Sequence, residues 1–143
     1  MSELVEGRDV NVELALEIVR ATHTAAAGMD LQIAAVVSDR AGHIVASGRM
    51  DKAPLGALPI ATDKAFSSAM WQCRTGEMAE ISLPGNGDWG FANAMGGRMI
   101  VFAGGVAIRK NGELIGALGV SGALSAEDEA ICLAALASLG LDG

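Results

Sequence analysis

The sequence predicts an α+β fold, an antiparallel sheet flanked by helices in the order α-β-β-α-α-β-β-α. Two pairs of β-branched-rich runs are each joined by a tight-turn signal, Asp39-Arg40-Ala41-Gly42 in the first pair and Asn111-Gly112 in the second. Helical apolar periods lie at both ends of the chain and between the pairs. Hydrophobic residues make up 51% of the 143, mostly Ala, Val, Ile and Leu, sizes that suit close packing of helices on a sheet.

Asn11 to Gly28 reads as the first helix. Val12, Leu16, Val19, His23 and Ala26 form its apolar stripe, with Leu14, Ile18, Ala21 and Ala25 beside it, and Gly28 is placed to end it. Gln32 to Val37 is an apolar run of the kind buried on both faces of a sheet. His43 to Met50 returns from the turn as its hairpin partner. Pro59 suits the first turn of a helix from Ile60 to about Gln72, with Ala61, Ala65, Ala69, Phe66 and Met70 inward. A short helical turn is expected at Glu77 to Ile81, with Thr75 as its N-cap.

Leu83 to Gly97 has no sustained period and is rich in Gly, Asn and Pro. Irregular segments of this length inside a compact domain usually carry function or mobility. Arg98 to Ala103 and Gly105 to Arg109 read as strand, interrupted at Gly104-Gly105. Asn111-Gly112 suits a type I′ turn, which needs positive φ at both central residues. Glu113 to Ser121 completes that hairpin. Ser125 is expected to cap the last helix, with Asp128 three residues on as in a capping box. Ile131, Leu133, Leu136 and Leu139 are its apolar side and Gly140 its end. With no internal repeat and no linker, residues 1–143 read as one domain.

The formal net charge is −7, so the chain gains nothing from counterion release on nucleic acid. Residues 1–8 lack a signal pattern and no run approaches the ~18 apolar residues of a spanning helix, which sets the expectation at cytoplasmic and without a membrane. Cys73 and Cys132 sit in helical patterns and read as buried free thiols. Gly is common, at 19 residues, and gathers between 85 and 122. A literal G-x-G-x-x-G at Gly85, Gly87 and Gly90 is rejected as a dinucleotide fingerprint, because it neither follows a strand nor opens a helix.

Several stretches together resemble the GlcG/HbpS-like family, which includes the haem-binding C-terminal domain of PduO-type proteins. They are Ala35-Val36-Val37-Ser38-Asp39-Arg40-Ala41-Gly42-His43, Gly48-Arg49-Met50-Asp51-Lys52-Ala53-Pro54 and Ala61-Thr62-Asp63-Lys64-Ala65. Met95-Gly96-Gly97-Arg98, Gly104-Gly105-Val106 and the run from Gly112 to Gly122 continue the order. Ala107 stands where relatives often have Pro. The resemblance implies a profilin-like α/β sandwich, a homo-oligomer, and haem as the candidate cofactor with no other.

Three kinds of chemistry have candidates. Haem ligation has only two imidazoles to draw on, His23 on the first helix and His43 at the start of the second strand, with Met29, Met95 and Met99 as apolar walls. His23 also fits a plain core or interface role. A metal site is offered by Glu77 and Glu80, whose E-x-x-E spacing turns two hard carboxylates one way, although such pairs are usually just solvated. A small anionic ligand is offered Arg49 and Arg98, the loop residues Asn86 and Trp89 with Asp88 and Asn93, and backbone N–H groups at Gly104 and Gly105. Lys64 or His43 then serves as acid or base. The plain reading of Lys64 is a salt bridge with Asp51 or Asp63. These candidates imply a small-ligand-binding protein for haem, a related tetrapyrrole or a catabolic metabolite. The alternatives are a cofactor-independent lyase or isomerase acting on a small carboxylated or hydroxylated intermediate, and an accessory protein that assembles with a partner.

Overall fold

A computed structural model describes residues 3–143. It contains α1 (Val12–Gly28), β1 (Ala34–Ser38), β2 (Ile44–Arg49), α2 (Ala57–Trp71), α3 (Ala94–Gly97), β3 (Gly105–Lys110), β4 (Glu113–Ser121) and α4 (Ser125–Ser138), with 3-10 turns at Thr75–Met78 and Phe91–Asn93. The four strands pair antiparallel in the order β2-β1-β4-β3, so the two hairpins join through β1 and β4. Ala35 lies opposite Val120 and Val37 opposite Leu118.

Side-chain alternation sorts the sheet into two faces. Ala35 and Val37 of β1, Val106 and Ile108 of β3, and Leu118 and Val120 of β4 pack with Ala15, Ile18 and Val19 of α1 and Ile131 and Leu136 of α4. Ala34 and Val36 turn the other way, onto Ala57, Ala61 and Ala65 of α2. With both faces covered, β1 is buried at every residue. Each fully buried Val, Leu or Ile contributes about 1.5–3 kcal/mol.

The α2 face is built from the smallest residues. Gly105 and Gly119 are register partners on β3 and β4. A Cβ on Gly119 would run into the Ala61 carbonyl, and one on Gly105 would stand 2.5 Å from the carbonyl oxygen of Lys64. The helix backbone therefore rests almost directly on the sheet, which only glycine permits.

Several local expectations need correcting. On α1 the buried residues are Ala15, Ile18, Val19, Thr22 and Ala26, while Val12 and Leu16 are exposed. The helix seats on the row that includes Ile18, because its small neighbours allow closer approach. Asn11 is its N-cap, accepting from the Leu14 amide at 2.9 Å. Helix α2 begins three residues earlier than expected, leaving Pro59 within its first turn. Residues 98–103 are not strand. They run along α2, where the Ser67 hydroxyl accepts from the Ile100 amide, donates to the Asp63 carbonyl at 2.7 Å and lies 3.1 Å from the Arg98 carbonyl. Thr75 caps nothing, since its buried hydroxyl accepts from the Gly105 amide at 2.9 Å. Ser125 is the first residue of α4 and Leu124 its N-cap, with the Glu127 carboxylate accepting from the Leu124 amide. Asp128 is used elsewhere.

Both turn signals hold. Asn111 and Gly112 have φ of +52° and +80°, as a type I′ turn requires. Gly85 and Gly90 lie in turns, with no strand before them.

Candidate functional site

Lys64 is buried to 1% exposure although it sits on a helix of mostly small residues. Its Nζ donates to an Asp128 carboxylate oxygen and to the Val120 carbonyl, each at 2.8 Å, and lies 5.2 Å from the centre of the Phe102 ring. The expected salt bridge exists, but its partner is Asp128 of α4, not Asp51 or Asp63. Burial pushes the Asp128 carboxyl above its ordinary range, against the pull of Lys64 and the Ala123 amide. The Cys132 thiol donates to the Gly104 carbonyl at 3.4 Å. Burial drives that thiol far above its ordinary pKa, so it is inert. Cys73 is half-buried, and burial raises its thiol too.

Gly104 and Gly105 border this cluster and are buried. The Gly105 N–H is already donated to Thr75, so it is not free to hold an oxyanion. A Cβ on Gly104 would collide with the Lys64 ammonium. Lys64 and these glycines thus form a buried polar seam.

His23 and Arg49 are brought together elsewhere. They line a cleft of about 470 Å³ with Gln32, Met50, Asp51 and Lys52, where α1 crosses the end of β2. His23 is half-buried, and its Nε2 donates to the Gly48 carbonyl at 3.0 Å. Arg49 and Lys52 are exposed, and among the described residues neither forms an ion pair. An imidazole and two uncommitted cations therefore open on one hollow. A second hollow of about 400 Å³ lies at the start of α1, over Val10, Leu14 and Ile115. Two of its rim charges are already spent, Arg8 on Glu113 and Asp9 on Arg40.

The remaining candidates are dispersed. His43 is solvent-exposed at the first hairpin, 3.7 Å from an Asp39 carboxylate oxygen. The Arg98 Nε donates to Asp63 at 2.9 Å and its guanidinium stacks on Phe66 at 3.7 Å, which holds the side chain against α2. Asn86 donates to the Glu80 carbonyl at 2.6 Å, and Trp89, three residues on, is two-thirds exposed. Glu77 and Glu80 are exposed on the 3-10 turn and after it. Among the described residues no three His, Cys, Asp or Glu side chains gather as a metal would need. Met99 is buried, whereas Met29 and Met95 are about half exposed. Lys52 and Gln32 went unrecognised as cleft residues, because hairpin pairing, not local pattern, places them near His23.

Fold and cleft define a small α+β protein with a polar, cationic hollow at one end of its sheet. The chain belongs to the HbpS-like family: the family model described as haem degrading protein HbpS-like matches residues 10–137. It is 32% identical over 113 residues to the corrinoid adenosyltransferase PduO of Salmonella typhimurium, covering 78% of this chain but 34% of that protein. The chain thus spans about a third of the length of that relative. An uncharacterised 15.0 kDa protein of Citrobacter freundii is 27% identical over 89% of both chains.

Solved structures agree. Klebsiella pneumoniae protein ORFY superposes with a TM-score of 0.92 at 27% identity, over 96% of this chain and 94% of the other. A PduOC:heme complex superposes at 0.87 and 26% identity, over 93% and 96%. A Streptomyces reticuli HbpS variant with two glutamates replaced by aspartates, three positions apart, superposes at 0.85 and 27% identity, over 98% and 93%. Among the described residues no helix is long and apolar enough to cross a membrane.

Proposed function

We propose that this chain binds haem or a closely related tetrapyrrole in the cleft between α1 and β2. The observation that carries the reading is the convergence of His23, Arg49 and Lys52 on one hollow. Their chemistry fits the group: imidazole is a common axial ligand of haem iron, and guanidinium and ammonium groups suit the two propionates. When bound, haem would supply an iron centre open to a nitrogen ligand. In this reading Arg49 and Lys52 would orient the carboxylates, Met50 would offer an apolar contact and His23 would offer the nitrogen. Lys64 and His43 play no direct part. The family description and the haem-bound structural relative support the same ligand class. Nothing among the relatives supports the lyase or isomerase alternative.

Titration with hemin tests the reading. A Soret shift is expected that saturates at one hemin per chain. His23→Ala abolishes the shift and Arg49→Ala with Lys52→Ala weakens it at least tenfold, whereas His43→Ala leaves it intact. Absence of any shift in the unaltered protein refutes the proposal.

Self-association accompanies this reading. All five aromatic residues lie between Phe66 and Phe102, and none is buried. Trp71 meets Phe91 at 5.4 Å, and Phe102 lies over Lys64 on the same helix. From Ile81 to Ala103 the only charges are Asp88 and Arg98, so this surface is neutral in a chain of net charge −7. Two acidic copies meet with least repulsion there. Sedimentation of the unaltered protein against a Trp89→Ser, Phe102→Ser variant reads this out, and a monomer in both cases refutes it. Glu77 and Glu80 share the three-residue spacing of the two glutamates altered in the HbpS variant.

A further inference from the structure

We propose that Gly48 is the positioning residue of His23, holding a proton on Nε2 so that Nδ1 is the nitrogen left to meet a ligand. The inference rests on the haem reading only for the identity of that ligand. A carbonyl oxygen can only accept, so the 3.0 Å contact between Nε2 and the Gly48 carbonyl requires a hydrogen on Nε2. A ring nitrogen held by a backbone carbonyl is the usual device for setting which nitrogen keeps its lone pair.

The second observation concerns space. Gly48 is not among the glycines with positive φ, so its backbone is open to any residue. What requires glycine is the ring itself. A Cβ at this position would stand 2.8 Å from Cε1 and 3.3 Å from Nε2 of His23, and 3.0 Å from Cγ1 of Val19. The imidazole therefore lies directly against bare strand backbone, one residue before Arg49. Placement of the ring and placement of the cation follow from the same short segment.

The experiment is nitrogen-15 NMR of the imidazole in the hemin-free protein, paired with hemin titration. The unaltered protein is expected to show the Nε2–H tautomer of His23. Gly48→Ala is expected to mix the two tautomers and to weaken hemin binding at least tenfold while circular dichroism stays native. A second variant, Gly48→Ala with Val19→Ala, removes the clash with the helix and leaves the clash with the ring. It is expected to recover thermal stability and to recover neither the tautomer nor hemin affinity. Recovery of both would mean that Gly48 acts through packing alone and would overturn the proposal. So would an Nδ1–H tautomer in the unaltered protein, or a hemin complex in which Nε2 is the ligating atom. If hemin fails to bind while the tautomer behaves as described, the haem reading falls and the role of Gly48 stands.

Discussion

Lys64 of α2 and Asp128 of α4 meet at 2.8 Å, although their helices pack on opposite faces of the sheet. The bond is made at the end of the sheet, beside Gly104, where the absent side chain leaves a passage for the lysine. It joins two layers that lie on opposite sides of the strands, as the Arg74–Glu129 pair at 3.3 Å also does just beyond the end of α2.

Breaking this pair from one side is expected to be severe. Lys64→Met strands a buried carboxylate and should cost about 3–5 kcal/mol in urea unfolding. The double variant Lys64→Met, Asp128→Leu should recover most of that loss, since an apolar replacement removes both desolvation costs. A single-variant cost below about 1 kcal/mol would contradict the assignment.

The same variant should respond to pH in one direction. Burial already raises the Asp128 carboxyl and Lys64 pulls it down, so removing Lys64 raises it further. A carboxyl whose pKa is higher folded than unfolded binds its proton more tightly in the folded state. Its contribution is present below the unfolded pKa and lost as pH rises through the folded one. Lys64→Met should therefore be less stable at pH 8 than at pH 5, relative to the unaltered protein, by paired thermal melts.

Glycines should divide by what faces them. Gly119→Ala drives a methyl into the backbone of α2 and is expected to cost about 3 kcal/mol or more, or to abolish folding. Gly87→Ala meets open space at ordinary φ and should stay within about 0.5 kcal/mol. Equal melting temperatures for the two would refute the seating of α2.

Asn11→Ala removes the side chain that accepts from the Leu14 amide and should cost about 1 kcal/mol. Asn11→Asp should retain most of the stability, because an aspartate accepts the same bond. Denaturant midpoints at constant slope check both.

Strand pairs and their turns were legible because alternation, burial and positive-φ residues are local signals. Asn111-Gly112 is the clearest case, and β4 spans Glu113 to Ser121 as read. Residues 98–103 misled because Met99, Ile100, Val101 and Phe102 look like strand. Their backbone bonds instead to Ser67, a tertiary choice that no local pattern records. Asp128 misled for the opposite reason. Its spacing from Ser125 matches a capping box, and only the packing of α2 shows that Lys64 claims it. Of the candidate site residues, His23 and Arg49 converge on the cleft, Lys64, Gly104 and Gly105 meet in a buried seam, and the others scatter, since convergence depends on how the helices cross the sheet.

The bare seat of α2 bears on how that helix can move. Where side chains interdigitate, a helix can slide or tilt while rotamers adjust beneath it. Against Gly105 and Gly119 there are no rotamers to adjust. Helix α2 is therefore confined to staying docked or coming away whole, carrying the Arg98 and Phe102 segment with it. Its interior amides should exchange with solvent only as fast as the entire domain opens.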